Sequence, residues 1–244
     1  NKFNTSIKMF ETSDLNTIKT LLANKPESVR LLEVDDNLIS KRIKAIKKIA
    51  LEKKLKIEIK KFKNPDKKIN LIFKPSEPKN IEYLEKFLET KEDAVILLLD
   101  HITDPNNLGS ILRTSLGGMV DAVVVPKSRA CHLTKSVREV SKGSSELIPF
   151  VIVPNLKRIT EMLKLRGFLI YGAEGSSQSE SIYDTDFSKK IGLIIGSENT
   201  GIQETLKSKC DKIIKIPISD KLESLNAAIA TSVIVFEINR QRTN

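Results

Sequence analysis

Hydrophobic positions along the chain follow two rhythms, which change over near residue 90. Before that point, "LNTIKTLLA" (15–23) and "LISKRIKAIKKIALEKKL" (38–55) space their apolar side chains by three and four residues. That spacing predicts two amphipathic helices. The short runs "VRLLEV", "KIEIKKF" and "NLIFK" lie between and after them and read as strands, the second alternating Ile with Lys. Helices alternating with brief strands predict a small α/β domain, assigned to residues 1–76. The proline-rich "KPSEPKN" reads as a linker and leads to a short helix around residues 81–90, so 77–90 separate two domains. From residue 94 the runs "AVILLL", "DAVVVP", "IPFVIV", "GFLIYG", "IGLIIG" and "KIIKIPI" are almost wholly apolar and rich in Ile, Val and Leu. Strands buried on both faces have this composition, and their alternation with helical patterns predicts a parallel α/β sheet over residues 91–244.

In such sheets ligands sit beyond the carboxyl ends of the strands, where loops present backbone groups and helix N-termini. Three of those loops are polar: "DHITDPNNLGSILR" after the first strand, "GSENTG" after "IGLII", and "ISDKLESLNAAIA" after "KIIKIP". In the first, Asn107 is expected to cap a helix. Arg113 follows six residues later, about 600° around that helix and so on a different face. A mid-helix arginine is ordinarily a surface ion-pair partner. "GSENTG" matches neither GxGxxG nor the P-loop pattern, and a tight left-handed turn accounts for its glycines. Glu198 is its one charged residue. "SLNAAIATSVIVFEI" opens on Ser224 and Asn226 and continues as a helix apolar enough to require burial or a subunit interface. His101 reads as a loop hydrogen-bonder.

Charge adds a partner. The net charge is +10, and residues 41–68 alone hold 13 basic and 3 acidic side chains. A phosphate backbone suits such a surplus, because each neutralised phosphate releases counterions. Lys41, Arg42, Lys44, Lys47, Lys48, Lys60 and Lys61 are the candidate nucleic-acid contacts. A solvated helix face is the plainer alternative. No apolar run nears the roughly 18–20 residues that span a bilayer, and no secretory leader is visible, so a cytoplasmic location without membrane contact is expected. Cys131 and Cys210 are isolated and expected to be buried thiols, and His101 and His132 are the only histidines. No metal site is expected from so few ligands.

Taken together, "DHITDPNNLGSILRTS", "IGLIIGSENTGI" and "IPISDKLESLNAAIATSVIVFE" resemble the three signature motifs of the SpoU (TrmH-type) 2'-O-ribose methyltransferases of the SPOUT superfamily. The resemblance covers residues 90–240, including the intermotif stretch "REVSKGSSELIPFVIVPNLKRI". The N-terminal part resembles the L30e-like substrate-binding domain of the subgroup that acts on 23S rRNA.

This resemblance implies a SPOUT fold, a parallel α/β sheet with a C-terminal deep trefoil knot, working as a homodimer. It implies S-adenosylmethionine as methyl donor, held at Ala173, Gly196, Ile216 and Leu225. The family's functional positions fall on Asn107, Arg113, Glu198, Ser224 and Asn226. Ala227 and Ala228 replace a Val-Ser pair common in the third motif and remove a hydroxyl beside the cofactor loop. Two rival readings are a same-fold enzyme acting on tRNA ribose and an RNA-binding or ribosome-assembly protein without catalysis.

Overall fold

A computed structural model of the chain describes residues 8–36, 40–176 and 179–243. The chain divides into two units, Asn1–Glu77 with Lys142–Leu147, and Pro78–Ser141 with Ile148–Asn244.

The first unit contains β1 (Phe10–Thr12), α1 (Leu15–Asn24), β2 (Val29–Val34), α2 (Lys41–Glu52), β3 (Ile57–Ile59) and β4 (Ile69–Phe73). Its four strands run in the order β1-β4-β2-β3, with β3 parallel to β2 at one edge. Helix α1 starts where Asp14 accepts from Thr17 N at 2.8 Å, an N-cap that satisfies one of the free donors of the first turn. Ile18, Leu21 and Leu22 of α1 meet Ile43, Ile46 and Ala50 of α2 and the inward side chains of β2 and β4 in one apolar core. The outer face of α2 presents Lys41, Arg42, Lys44 and Lys48 to solvent, with Lys47 half-buried. Residues 38 and 39 of the expected second helix lie outside the described residues. The pattern missed β1, which has three residues and no alternation.

Six residues from within the stretch assigned to the second domain, Lys142–Leu147, belong to this first unit. The buried Glu146 carboxylate accepts from Ser76 N at 2.6 Å, and Lys25 Nζ reaches both Ser76 Oγ and Glu146 O. Lys142 Nζ pairs with Asp14 at 3.1 Å.

The second unit holds α3 (Ile81–Leu88), β5 (Ala94–Asp100), α4 (Pro105–Gly117), β6 (Ala122–Pro126), α5 (Lys135–Val140), β7 (Phe150–Val153), α6 (Leu156–Leu165), β8 (Leu169–Ala173), β9 (Glu180–Ser181), β10 (Lys190–Gly196), α7 (Glu204–Lys207), β11 (Lys212–Lys215) and α8 (Ala227–Thr243). The expected linker is therefore largely part of this unit. Lys79 bridges to β7 through Lys79 N to Phe150 O and Ile152 N to Lys79 O, at 2.7 and 2.9 Å.

The seven strands run in the order β7-β6-β5-β10-β8-β11-β9, and all their pairings are parallel. Alternation along β5 shows why its sequence is continuously apolar. Val95, Leu97 and Leu99 face a core shared with α4, α5 and α8, while Ala94, Ile96 and Leu98 face one shared with α3 and α6. After β7 the chain returns to the other side of β5, so the connections diverge between β5 and β10, the position where such sheets open a crevice. Helices α4 and α8 lie side by side. Thr114 Oγ1 and Ser232 Oγ are hydrogen-bonded at 2.8 Å, and a Cβ on Gly118 would lie 2.2 Å from Val235 Cγ1.

Candidate active site

Strand register brings the three polar loops to one edge of the sheet. Gly196 pairs with Asp100, Ile195 with Ala173, and Ile214 also with Ala173, so the loops after β5, β8, β10 and β11 leave the sheet at one level. The loops after β8, β10 and β11 line a cavity of about 680 Å3 whose walls include Ala173, Gly196, Glu198, Ile216, Ser224 and Leu225, while the loop after β5 adds no wall residue. All four residues expected to hold a cofactor are on it.

The loop after β10 is a tight turn, and it also carries the charged residue. Gly201 N donates to Ser197 O at 2.9 Å, and Gly201 has φ +63°. A Cβ on Gly196 would lie 2.2 Å from Gly201 C and 2.4 Å from Ile202 N, so only hydrogen fits there. The far end of the loop is fixed by Asp100, a buried carboxylate missed from the sequence. Its Oδ2 accepts from Gln203 N at 2.8 Å, and its Oδ1 is 2.7 Å from His101 Nδ1. His101 is thus a loop hydrogen-bonder, held at φ +61°. The available signal for Asp100 was an acid terminating a strand otherwise fully apolar.

At the mouth of this arrangement one side chain from each loop meets the other two. Asn107 Nδ2 donates to Glu198 Oε1 at 3.1 Å, Asn226 Nδ2 donates to the same oxygen at 2.5 Å, and Asn226 Nδ2 also lies 2.9 Å from Asn107 Oδ1. Ala227 N adds a third donor to Glu198 Oε1 at 3.1 Å. Asn226 Oδ1 accepts from Ala228 N and Ile229 N, which makes it the cap of α8. The Ala227–Ala228 departure therefore leaves the local structure supplied by main-chain N–H groups. Both alanines are buried, and Ala227 lines the cavity.

Asn107 does not cap α4. Asp104 does, accepting from Asn107 N at 2.8 Å with Pro105 in the first turn. Both Asp and Asn cap well, and Pro105 at the first helical position marks the cap as the residue before it. This places Asn107 one turn inside the helix and leaves its amide free for Glu198 and Asn226. The remaining two expected residues stand apart from this ring. Ser224 is exposed on the cavity wall, and Arg113 is exposed outside it, with no hydrogen-bond or ion-pair partner among the described residues.

The cavity suits S-adenosylmethionine in its donor chemistry. Ile195, Ile214, Ile216 and Ile234 give it an apolar wall, while Glu174, Glu204 and Glu223 supply negative charge for a cationic ligand. Lys207, pairing with Glu174 at 2.6 Å, adds a cation for a carboxylate. Neither thiol is placed to serve as a nucleophile. Cys131 is buried as expected, whereas Cys210 is only partly so, and desolvation pushes Cys131 up and Cys210 up to about 12. Among the described residues no group of three His, Cys, Asp or Glu could hold a metal ion, and no helix is long and apolar enough to cross a membrane.

Residues 94–236 match the SpoU rRNA Methylase family. The 23S rRNA (guanosine-2'-O-)-methyltransferase RlmB of Pseudomonas putida is 32% identical over 236 residues, covering 93% of this chain and 95% of its own length. The protein of the same name from Blochmanniella floridana is 32% identical over 238 residues, 93% of each chain. The SpoU methyltransferase AviRb from Streptomyces viridochromogenes, solved in complex with the cofactor AdoMet, shares the fold with a TM-score of 0.75. It is 23% identical, and the likeness covers 96% of this chain and 91% of that one. The family match runs from the first residue of β5 into the second half of α8 and contains all three loops and the ring they form, so the chain belongs to the SpoU rRNA methylase family.

Proposed function

We propose that the protein transfers a methyl group from S-adenosylmethionine to a ribose 2'-hydroxyl of RNA, at a guanosine of 23S rRNA. The observation that carries this reading is the convergence of Asn107, Glu198 and Asn226 beside a cavity lined by the cofactor positions Ala173, Gly196, Ile216 and Leu225. Near-complete coverage of two relatives named for 23S rRNA guanosine methylation favours that substrate over tRNA.

Bound in the cavity, S-adenosylmethionine would supply an electrophilic methyl group on a sulfonium centre. Gly196, Ile216 and Leu225 offer main-chain contacts, in a C-terminal segment that we read as the trefoil-knotted part of the fold. The chain's own residues must orient a 2'-hydroxyl in line with the methyl carbon and stabilise the negative charge that develops on that oxygen. Arg113 meets the second need. Its guanidinium stays protonated and can hold an oxyanion or grip the adjoining phosphate through two N–H groups. Asn107, Asn226 and Glu198 fix the three loops against one another, and Ser224 faces the ribose.

An arginine without a hydrogen-bond or ion-pair partner among the described residues also fits a site completed across a homodimer. Ile229 and Phe236 on α8 and Met119 beyond α4 are 54%, 50% and 63% exposed, and they offer an apolar surface for a second copy. RNA would be gripped by Lys41, Arg42, Lys44, Lys47, Lys48, Lys60 and Lys61 of the first unit, in the cytoplasm where ribosomal RNA resides.

Incubation with radiolabelled S-adenosylmethionine and separate unmodified 23S rRNA and tRNA tests the reading. Label at a 2'-O-methylguanosine of 23S rRNA is expected; label in tRNA alone would overturn the substrate, and label in neither would overturn the activity. Glu198 has a sharper test. Its Oε1 accepts from three donors of the ring, which leaves Oε2 as the oxygen that could take a proton, and if Glu198 serves only the ring, Glu198→Gln, which keeps an oxygen there, is expected to lower turnover less than about tenfold. A loss of 10²-fold or more in single-turnover assays would make the carboxylate the proton acceptor.

A further inference from the structure

The loop joining β3 to β4, "KKFKNPDKK" at residues 60–68, is pinned at both ends. Lys60 N donates to Val34 O at 2.9 Å, and Lys60 Nζ pairs with the buried Glu33 carboxylate. Burial pushes Glu33 up, but bonds from Lys60 and Asn70 outweigh it and hold the group below the usual carboxylate range. At the other end Lys67 N donates to Asn64 O at 3.1 Å, Asn64 Oδ1 accepts from Asp66 N at 2.9 Å, and Lys67 Nζ lies 3.8 Å from Glu11.

Between these anchors the loop carries an aromatic ring. Phe62 is only partly buried and stands outside the hydrophobic core of its unit. The ammonium groups of Lys60 and Lys67 lie 5.9 and 5.5 Å from its ring centroid. Lys61 and Lys63 on either side of it in sequence are exposed, and Ile59 on the neighbouring edge strand is 53% exposed. Lysines on an edge strand discourage pairing with another chain. That purpose needs no phenyl ring, and a ring among lysines raises the cost of leaving apolar surface in water without filling the core.

We propose that Phe62 is a stacking platform for an unpaired nucleobase of the RNA substrate, with Lys61, Lys63 and Lys67 holding the phosphates beside it. The proposal rests on the reading that the partner is RNA and adds where, and by which chemistry, the first unit discriminates. Base stacking on an aromatic ring tolerates any sequence but requires a base out of its helix, so the platform selects loops and single strands over duplex. The adjoining cations supply charge without sequence information.

The chain contains no tryptophan, so Phe62→Trp places the only indole at the proposed contact. Titrating this full-length variant with a single-stranded RNA oligonucleotide is expected to quench its emission. The same strand in a perfect duplex, heparin and polyglutamate are expected to leave it nearly unchanged. Phe62→Ala is expected to weaken single-strand binding roughly five- to hundredfold with an unchanged salt slope, whereas Lys61→Ala or Lys63→Ala lowers that slope by about 0.7. Binding of S-adenosylmethionine by every variant serves as the folding control. Equal quenching by heparin, quenching by polyglutamate, or unaltered RNA affinity of Phe62→Ala would each overturn the proposal. Quenching by RNA in a protein that methylates none would leave the platform standing and overturn only the enzymatic reading.

Discussion

Arg113→Ala is expected to lower the single-turnover rate of RNA methylation by about 10²- to 10³-fold, the loss typical of removing one group that stabilises developing oxyanion charge. Stability should scarcely change. Arg113 is exposed on α4 and bonds to nothing among the described residues, and substitutions at such positions shift unfolding free energy by within about 0.5 kcal/mol. Affinity for S-adenosylmethionine should also hold, because Arg113 is outside the cavity wall. Arg113→Lys should recover only part of the rate, since a point charge lacks the planar fork that grips two oxygens. Rapid-quench measurement on saturating RNA decides the matter. Near-normal turnover in Arg113→Ala would remove this side chain from the chemistry.

Gly196→Ala is expected to do the opposite, abolishing cofactor binding through the backbone. The added carbon would sit 2.2–2.4 Å from main-chain atoms of Gly201 and Ile202, which have no flexible end to yield. The turn must shift, and with it Glu198 and the cavity wall. Overpacking of this kind costs about 1–3 kcal/mol, so a lowered denaturation midpoint should accompany the loss of S-adenosylmethionine binding in calorimetry. Binding within a few-fold of the parent protein would mean that the loop accommodates the methyl and that its close approach to Gly196 is incidental.

The long strands of the second unit were legible because burial on both faces leaves no polar position in them, as β5 and β10 show. Strands β1 and β9 were not, since three and two residues carry no periodicity and pairing alone defines them. The helix beginning at Pro105 was legible, but its cap was assigned to Asn107 because Asp and Asn offer the same acceptor; the proline was the deciding residue. Asn107, Glu198 and Asn226 could be named from motif resemblance, while their mutual bonds depend on strand register and could not be read locally. The placement of Lys142–Leu147 in the first unit rests on Glu146 meeting Ser76, 70 residues away, and leaves no trace in the pattern around it.

The ring at the cavity mouth also bears on how the molecule is made. Its three bonds join positions separated by 91, 28 and 119 residues. Contacts of such range form only after the intervening chain has lost its freedom, so they belong to the late and slow part of folding. A partly folded chain can hold β5 through β7 and their helices while the three loops are still strangers to one another. Competence for ligand binding is then expected to arrive with the docking of α8, whose Ala227, Ala230 and Ile234 line the cavity.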